Sequence, residues 1–280
     1  MLAWVFVVEF VAAVAVPLDA RDGRIRPAQL VAPAHSNPIA TRAPLIVGDR
    51  EVRLIGHGGP AADRLLARVA AEMPTAIDKV EAFWGADWSR DISVVVAASD
   101  DEFRAAAGGG PSSQWADIAA VTVADRIDPV HRVVVGQRIV FAPGAANMSD
   151  SALRIVLTHE LFHYASRADT ALDSPQWLAE AVADFIARPN TAVPAEAGSQ
   201  TVSLPSDFDL NNPGSQRSLA YDRAWWFARF VADTFGAPKL RAYYLAVCGV
   251  AHTDPFDAAR DVLGVDPAGL LARWQQWMVG

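Results

Sequence analysis

Ser151-Ala152-Leu153-Arg154-Ile155-Val156-Leu157-Thr158-His159-Glu160-Leu161-Phe162-His163-Tyr164-Ala165-Ser166 places its apolar residues at helical spacing, and the pattern His-Glu-x-x-His runs through it from His159 to His163. Positions four apart share one helix face about one turn from each other, so both imidazoles can reach one cation at roughly 2.0–2.1 Å. Glu160 is turned out of that pair yet stays beside it, where a carboxylate can take a proton from water. Leu153, Val156, Leu157, Leu161 and Phe162 supply apolar surface around the same helix, which predicts a buried element.

Two imidazoles do not complete a site, and the next stretch offers the rest. Ser174-Pro175-Gln176-Trp177-Leu178-Ala179-Glu180-Ala181-Val182-Ala183-Asp184 sets Glu180 and Asp184 four apart on one face of a helix whose Trp177, Leu178, Val182 and Phe185 are apolar. The two carboxylates lack an evident basic partner in the sequence, and a metal would answer their charge. Glu180 fits as third ligand, leaving the fourth position open for water as a catalytic zinc requires. Asp184 fits as acceptor for the outer N–H of a ligand His, which would fix its tautomer. The His and carboxylate donor set, rather than affinity alone, points to Zn2+.

Val156 to His163 followed by Pro175 to Asp184 resembles the gluzincin metallopeptidases, and among them the bacterial peptidase-MA-like domains with His-Glu-x-x-His and a later Trp-Leu-x-Glu-Gly-x-Ala. A Glu-x-x-x-Asp element of this kind also occurs in thermolysin-like enzymes. The resemblance covers roughly Ile92 to Val247, its specific part being the two helices. It implies an α+β, zincin-like fold, in which a mixed sheet and further helices pack on the active-site helix and a C-terminal helical lobe closes the cleft. It also implies His159, His163 and Glu180 as zinc ligands and Glu160 as general base. Ala181 stands where the family often has Gly, and neither the Gly-x-Met-Glu-Asn element of aminopeptidases nor the extra His of metzincins is present. Related domains often carry a Tyr at the start of the helix after the Glu ligand, which makes Tyr221 a candidate for stabilising a developing oxyanion. The alternative is a Tyr packed at the lobe interface through its apolar ring.

Outward from these helices, the half before Pro143 is expected to be sheet-rich (50–142) and the half after it helical (143–280). Glu51 to His57 alternates like a strand, Ala61 to Phe83 has helical spacing interrupted by Pro74, and Ile92 to Ala98 is a β-branched run. Val121 to Ala124 and Val133 to Phe141 read as strands, the latter broken at Gly136-Gln137 by a bulge or a tight turn. Helical periods run from Pro175 to Ala187, Leu219 to Phe235, Pro238 to Val247, Pro255 to Leu263 and Pro267 to Met278. Ser174 and Asp266 are expected N-caps ahead of first-turn prolines, and Gly236 and Gly264 expected left-handed helix ends. Gly108-Gly109-Gly110-Pro111 is a flexible turn and not a phosphate loop. The remaining histidines are isolated, and Trp225, Trp226, Trp274 and Trp277 read as core or seam residues.

The 280 residues suffice for one good-sized core, and 52% hydrophobic against 20% charged residues describes a folding chain. A net charge of −8 without a basic block excludes the footprint of a nucleic-acid binder. Cys248 stands alone, so it forms no internal disulfide and reads as a small buried hydrophobe. Leu2 to Val16 is apolar except for Glu9 and ends at Pro17, which reads as a signal peptide or membrane anchor (1–17) followed by a Pro-rich linker (18–49). Membrane association would run through this segment, and the folded part would be extracytoplasmic, secreted or anchored; a buried N-terminal helix is the alternative. The expected activity is zinc-dependent hydrolysis of peptide bonds in a peptide or protein substrate. Two alternatives are a zinc-binding, non-catalytic surface or regulatory module, and a helical-sheet protein without metal.

Overall fold

Residues 40–41, 43–57, 59–115, 118–194, 197, 203–211 and 215–280 are described by the computed structural model. The head 1–17 and the linker up to residue 39 lie outside the described residues, among which no helix is long and apolar enough to cross a membrane.

The class is α+β, as expected. Strand β1 (Ala40–Thr41) and β2 (Leu45–Val47) both pair antiparallel with β3 (Arg50–Gly56), so the fold begins inside the stretch expected to be linker. Extended Pro-rich chain and edge strand share the same backbone region, so composition alone does not separate them. Helix α1 (Gly59–Trp84) returns the chain to β4 (Asp91–Val96), parallel to β3. At 26 residues α1 is the largest element of the first half, which is therefore less dominated by sheet than its β-branched runs suggest. Pro74 lies inside α1 and does not end it. Met73, Ala76, Ile77 and Val80 are buried on either side of the proline, and that packing outweighs the ~3 kcal/mol that an interior proline costs.

After α2 (Asp100–Ala106), capped by Ser99, and the short α3 (Ser112–Trp115), the strand β5 (Ala120–Val123) follows. The hairpin of β6 (Arg126–Asp128) and β7 (Val133–Val135) forms a separate two-stranded sheet. The main sheet runs β1-β3-β4-β8-β5, with β8 (Arg138–Phe141) parallel to β4 and antiparallel to β5. The Gly136-Gln137 break therefore divides two sheets. Gly136 has φ +67°, a backbone conformation that favours glycine, and a side chain there would also displace the exposed Asp125 carboxylate.

Pleating sorts the sheet into two faces. Val121, Val123 and Val140 pack with Phe103 and Trp115 of α2 and α3 on one side. Ile139, Phe141 and Ala120 point to the other, where α1 and α4 (Asp150–Ser166) lie. Ser149 caps α4, its Oγ accepting from the amide of Ala152 at 3.2 Å. From Val156 to Ser166 every residue of α4 is buried, because α1, α5 (Gln176–Ala187), β5 and β8 surround it. Phe162 of α4 meets Trp84 and Tyr244 at ring-centroid distances of 5.6 and 5.5 Å, locking it to α1 and to α8 (Ala237–Cys248).

The second half is helical. Helix α6 (Asp207–Asn211) precedes α7 (Ser215–Phe235), which packs along α5 and is backed by α8 and α10 (Pro267–Val279), while α9 (Pro255–Ala258) with its π turn Ala259–Leu263 packs on α8. Trp274 of α10 is fully buried against Phe227. Asp266 caps α10 as expected, and Gly264 is left-handed. Gly236 also has positive φ, although at ψ 149° it is extended rather than helical. The cap of α5 differs from expectation. Ser174 donates to the carbonyl of Ala171, and the free amides of Gln176 and Trp177 bond instead to the carboxylate of Asp207 at 3.1 and 2.7 Å. A residue about thirty positions downstream thus does the work of a local cap, which no local pattern reveals.

Candidate metal centre

Helices α4 and α5 pack against each other, and Glu180 and Asp184, four apart on α5, face the histidines of α4. That approach brings together the three side chains expected as ligands. His159 Nε2 stands 3.0 Å from His163 Nε2 and 3.3 Å from Glu180 Oε2, and His163 Nε2 stands 3.6 Å from Glu180 Oε1. Donor atoms placed tetrahedrally at 2.0–2.1 Å from one ion are separated by roughly 3.3 Å, and the observed spacings, the two to Glu180 being to different carboxylate oxygens, are compatible with a common cation. All three residues are 1% exposed.

Charge points the same way. Glu160, Glu180, Asp184 and Asp222 bring four carboxylates to this buried region, against the guanidiniums of Arg167 and Arg188. A divalent cation at the three converging donors would offset carboxylate charge in this poorly solvated region. Nitrogen and carboxylate donors at this spacing fit zinc.

Asp184 is where the sequence expected it, accepting from Nδ1–H of His159 at 3.0 Å and so directing Nε2 inward. The expected lack of a basic partner does not hold. Arg188, four residues on, donates to Asp184 Oδ2 at 3.1 Å and to Asp222 of α7 at 2.9 Å, and lies over the Trp225 ring at 3.8 Å. Burial works against the charge of Asp184, but His159 and Arg188 outweigh it and hold the carboxyl below its usual range.

Glu160 is fully buried on the side of α4 that faces β5. Thr122 reaches it from that strand, its hydroxyl 2.7 Å from Glu160 Oε2 and 2.9 Å from the Glu160 carbonyl. The pleat explains the contact: Thr122 is paired with Ile139 and shares the α4 face with Ala120. Thr122, Arg188 and Asp222 escape a motif search. Two weak signals were available, a lone polar residue alternating with valines in a strand and an Asp-x-x-x-Arg spacing on a helix. Tyr221 is buried in α7, beside Asp222 and within the core that joins α5 to α7, and it is not one of the three converging donors.

Burial opposes charge on both imidazoles. At His159 the carboxylates of Asp184 and Glu180 overcome it and hold the imidazole well above its usual value, whereas at His163 burial, the His159 charge and Arg167 together push it well down. Without a metal the neighbouring carboxylates favour the protonated imidazole at His159, and a cation competes with that proton. Zinc affinity is therefore expected to rise with pH until the raised His159 value is passed. Calorimetric titration with zinc at pH 7 in two buffers of different ionisation enthalpy should report release of about one proton from this site; equal heats in both buffers would contradict it.

The sequence matches no protein-family model and no curated protein.

Proposed function

We propose that the chain is a zinc-dependent metallopeptidase of the gluzincin type, with His159, His163 and Glu180 as metal ligands and Glu160 as general base. The observation that carries this reading is the convergence of two imidazoles and one carboxylate from crossing helices, with a second carboxylate one residue along from the first His. When bound there, zinc supplies Lewis-acid polarisation of a scissile carbonyl and acidification of water. The chain's own groups do the rest. Thr122 holds one oxygen of Glu160, leaving the carboxylate aimed in one direction. Glu160 accepts a proton from the attacking water and delivers it to the amine nitrogen as the peptide C–N bond breaks. Asp184 keeps the proton of His159 on Nδ1, so that Nε2 presents a lone pair. Tyr221 remains the candidate hydroxyl for the oxyanion, and Tyr221→Phe is the substitution that bears on it.

The substrate class is a peptide or protein, and the apolar N-terminal head supports an extracytoplasmic, secreted or anchored location. One observation favours a second reading, a zinc-holding module without turnover: the ligands and the base are all enclosed, so a polypeptide reaches them only after some part of the surround moves. The test is metal analysis of the purified full chain beside Glu180→Ala, followed by incubation with a mixture of denatured proteins with and without chelator. The native chain is expected to hold about one zinc. Glu180→Ala should bind it more weakly by at least the ~100-fold that marks the loss of an outer-sphere partner. Chelator-sensitive cleavage supports the peptidase, zinc without cleavage supports the module, and a native chain that binds no zinc removes both.

A further inference from the structure

Beyond the ligands, a chain of groups runs from buried His159 and Asp184 to the half-buried Arg188 and Asp222, joining α4, α5 and α7. Its geometry is over-determined. Each oxygen of Asp184 has its own partner, Oδ1 receiving Nδ1–H of His159 at 3.0 Å and Oδ2 receiving Arg188 at 3.1 Å. The guanidinium is held in turn by Asp222 at 2.9 Å and by the Trp225 ring 3.8 Å from its central carbon. The side chains of Arg188 and Asp222 are 15% and 14% exposed, so water screens these contacts little. Arg188 is also the residue at which α5 ends, its amide bonded to the carbonyl of Asp184, so the fork starts from a fixed backbone position.

We propose that Arg188, held by Asp222 and the face of Trp225, is a positioning residue for the metal centre, fixing the carboxylate that orients His159 and so setting how tightly the centre holds a divalent cation. The inference rests on the metal-centre reading above. Its physical content is orientational: a carboxylate with only one partner can rotate about its Cβ–Cγ bond and tilt the imidazole with it, whereas one clamped on both oxygens cannot. A planar fork stacked on an aromatic ring performs this task, and a lysine ammonium, a point charge on a flexible stem, does not reproduce it.

Zinc binding is measured on the full-length chain by competition with a chromophoric chelator, with thermal melting of the metal-free forms in parallel. Arg188→Met is expected to weaken zinc binding ~10–100-fold and Arg188→Lys by ~10-fold, in the range found for outer-sphere partners of metal ligands. Asp222→Asn, one link further away, should weaken it only a few-fold. The decisive arm places Arg188→Met on an Asp184→Asn background. If Arg188 acts through Asp184 the second substitution changes affinity by less than ~3-fold, because coupled neighbours are not additive. A merely structural role lowers the melting temperature and weakens zinc equally on both backgrounds, which overturns the proposal. Native affinity in a folded Arg188→Lys chain also overturns it, whatever becomes of Arg188→Met. Failure of the native chain to bind zinc overturns the metal-centre reading itself, whereas tight native binding that Arg188 variants leave unchanged overturns this inference alone.

Discussion

Glu160→Gln is expected to lower peptide hydrolysis by roughly 10²- to 10⁴-fold, the contribution of a positioned general base, while zinc content stays at the native level. The two effects separate because Glu160 is not one of the three converging donors, and one of its oxygens is held by the Thr122 hydroxyl. Glutamine keeps the shape, and its amide oxygen can take the Thr122 hydroxyl bond now made by Oε2. What it cannot do is accept a proton from water and return it to the leaving nitrogen. Stability should not fall, because a neutral isostere takes the place of a carboxyl group in a fully buried position. The measurement is turnover on the best cleaved peptide, with metal content and melting temperature recorded on the same preparation. Turnover within a factor of two of native would remove Glu160 from the chemistry. Loss of zinc would instead recast it as part of the ligand set.

The residues behind that expectation were readable because they obey one local period. Two histidines four apart and two carboxylates four apart need only a helix to share a face, and the apolar residues between them predict that helix well: α4 begins and ends within a residue of the expected 151–166 segment. Asp266 capping α10 and left-handed Gly264 were legible for the same reason, since each acts on its own neighbours. What the sequence hides is the groups that act at a distance. Thr122 touches Glu160 across 38 positions, and Asp207 caps α5 from thirty positions away. Asp222 holds Arg188 from 34 positions away, so the basic partner of Asp184 is itself fixed by a third helix. In each case the partner is chosen by tertiary packing, which a periodic pattern does not encode. Pro74 shows the converse: a strong local signal for interruption is overruled because residues before and after it on α1 are buried in the core.

Arg50→Met is expected to destabilise the fold by about 3–5 kcal/mol, because three turn carbonyls and the partly exposed Glu81 carboxylate lose their donor together, at about 1–3 kcal/mol for each buried acceptor left unsatisfied. Arg50 opens β3 and is 1% exposed. Its guanidinium donates to Glu81 Oε1 at 2.9 Å and to the carbonyls of Ala86, Trp88 and Ser89 at 3.0, 3.2 and 2.7 Å, with the Trp88 ring stacked 3.4 Å away. The turn from α1 to β4 is thus wrapped around one side chain, which supplies the donors that its inward carbonyls need. Methionine fills much of the volume but satisfies none of these acceptors, and lysine restores the charge without the fork or the stack, so Arg50→Lys should recover only part of the loss. Denaturant titration of the full chain reads the difference directly, and the melting temperature should fall by roughly 10 °C for a chain of this size. None of the Arg50 partners is a metal ligand, so the folded fraction of Arg50→Met should still bind zinc with native affinity, which distinguishes loss of the scaffold from loss of the site. A destabilisation below ~1 kcal/mol would mean that water replaces the guanidinium at those carbonyls, and that the turn is held by its backbone and by Trp88 rather than by Arg50.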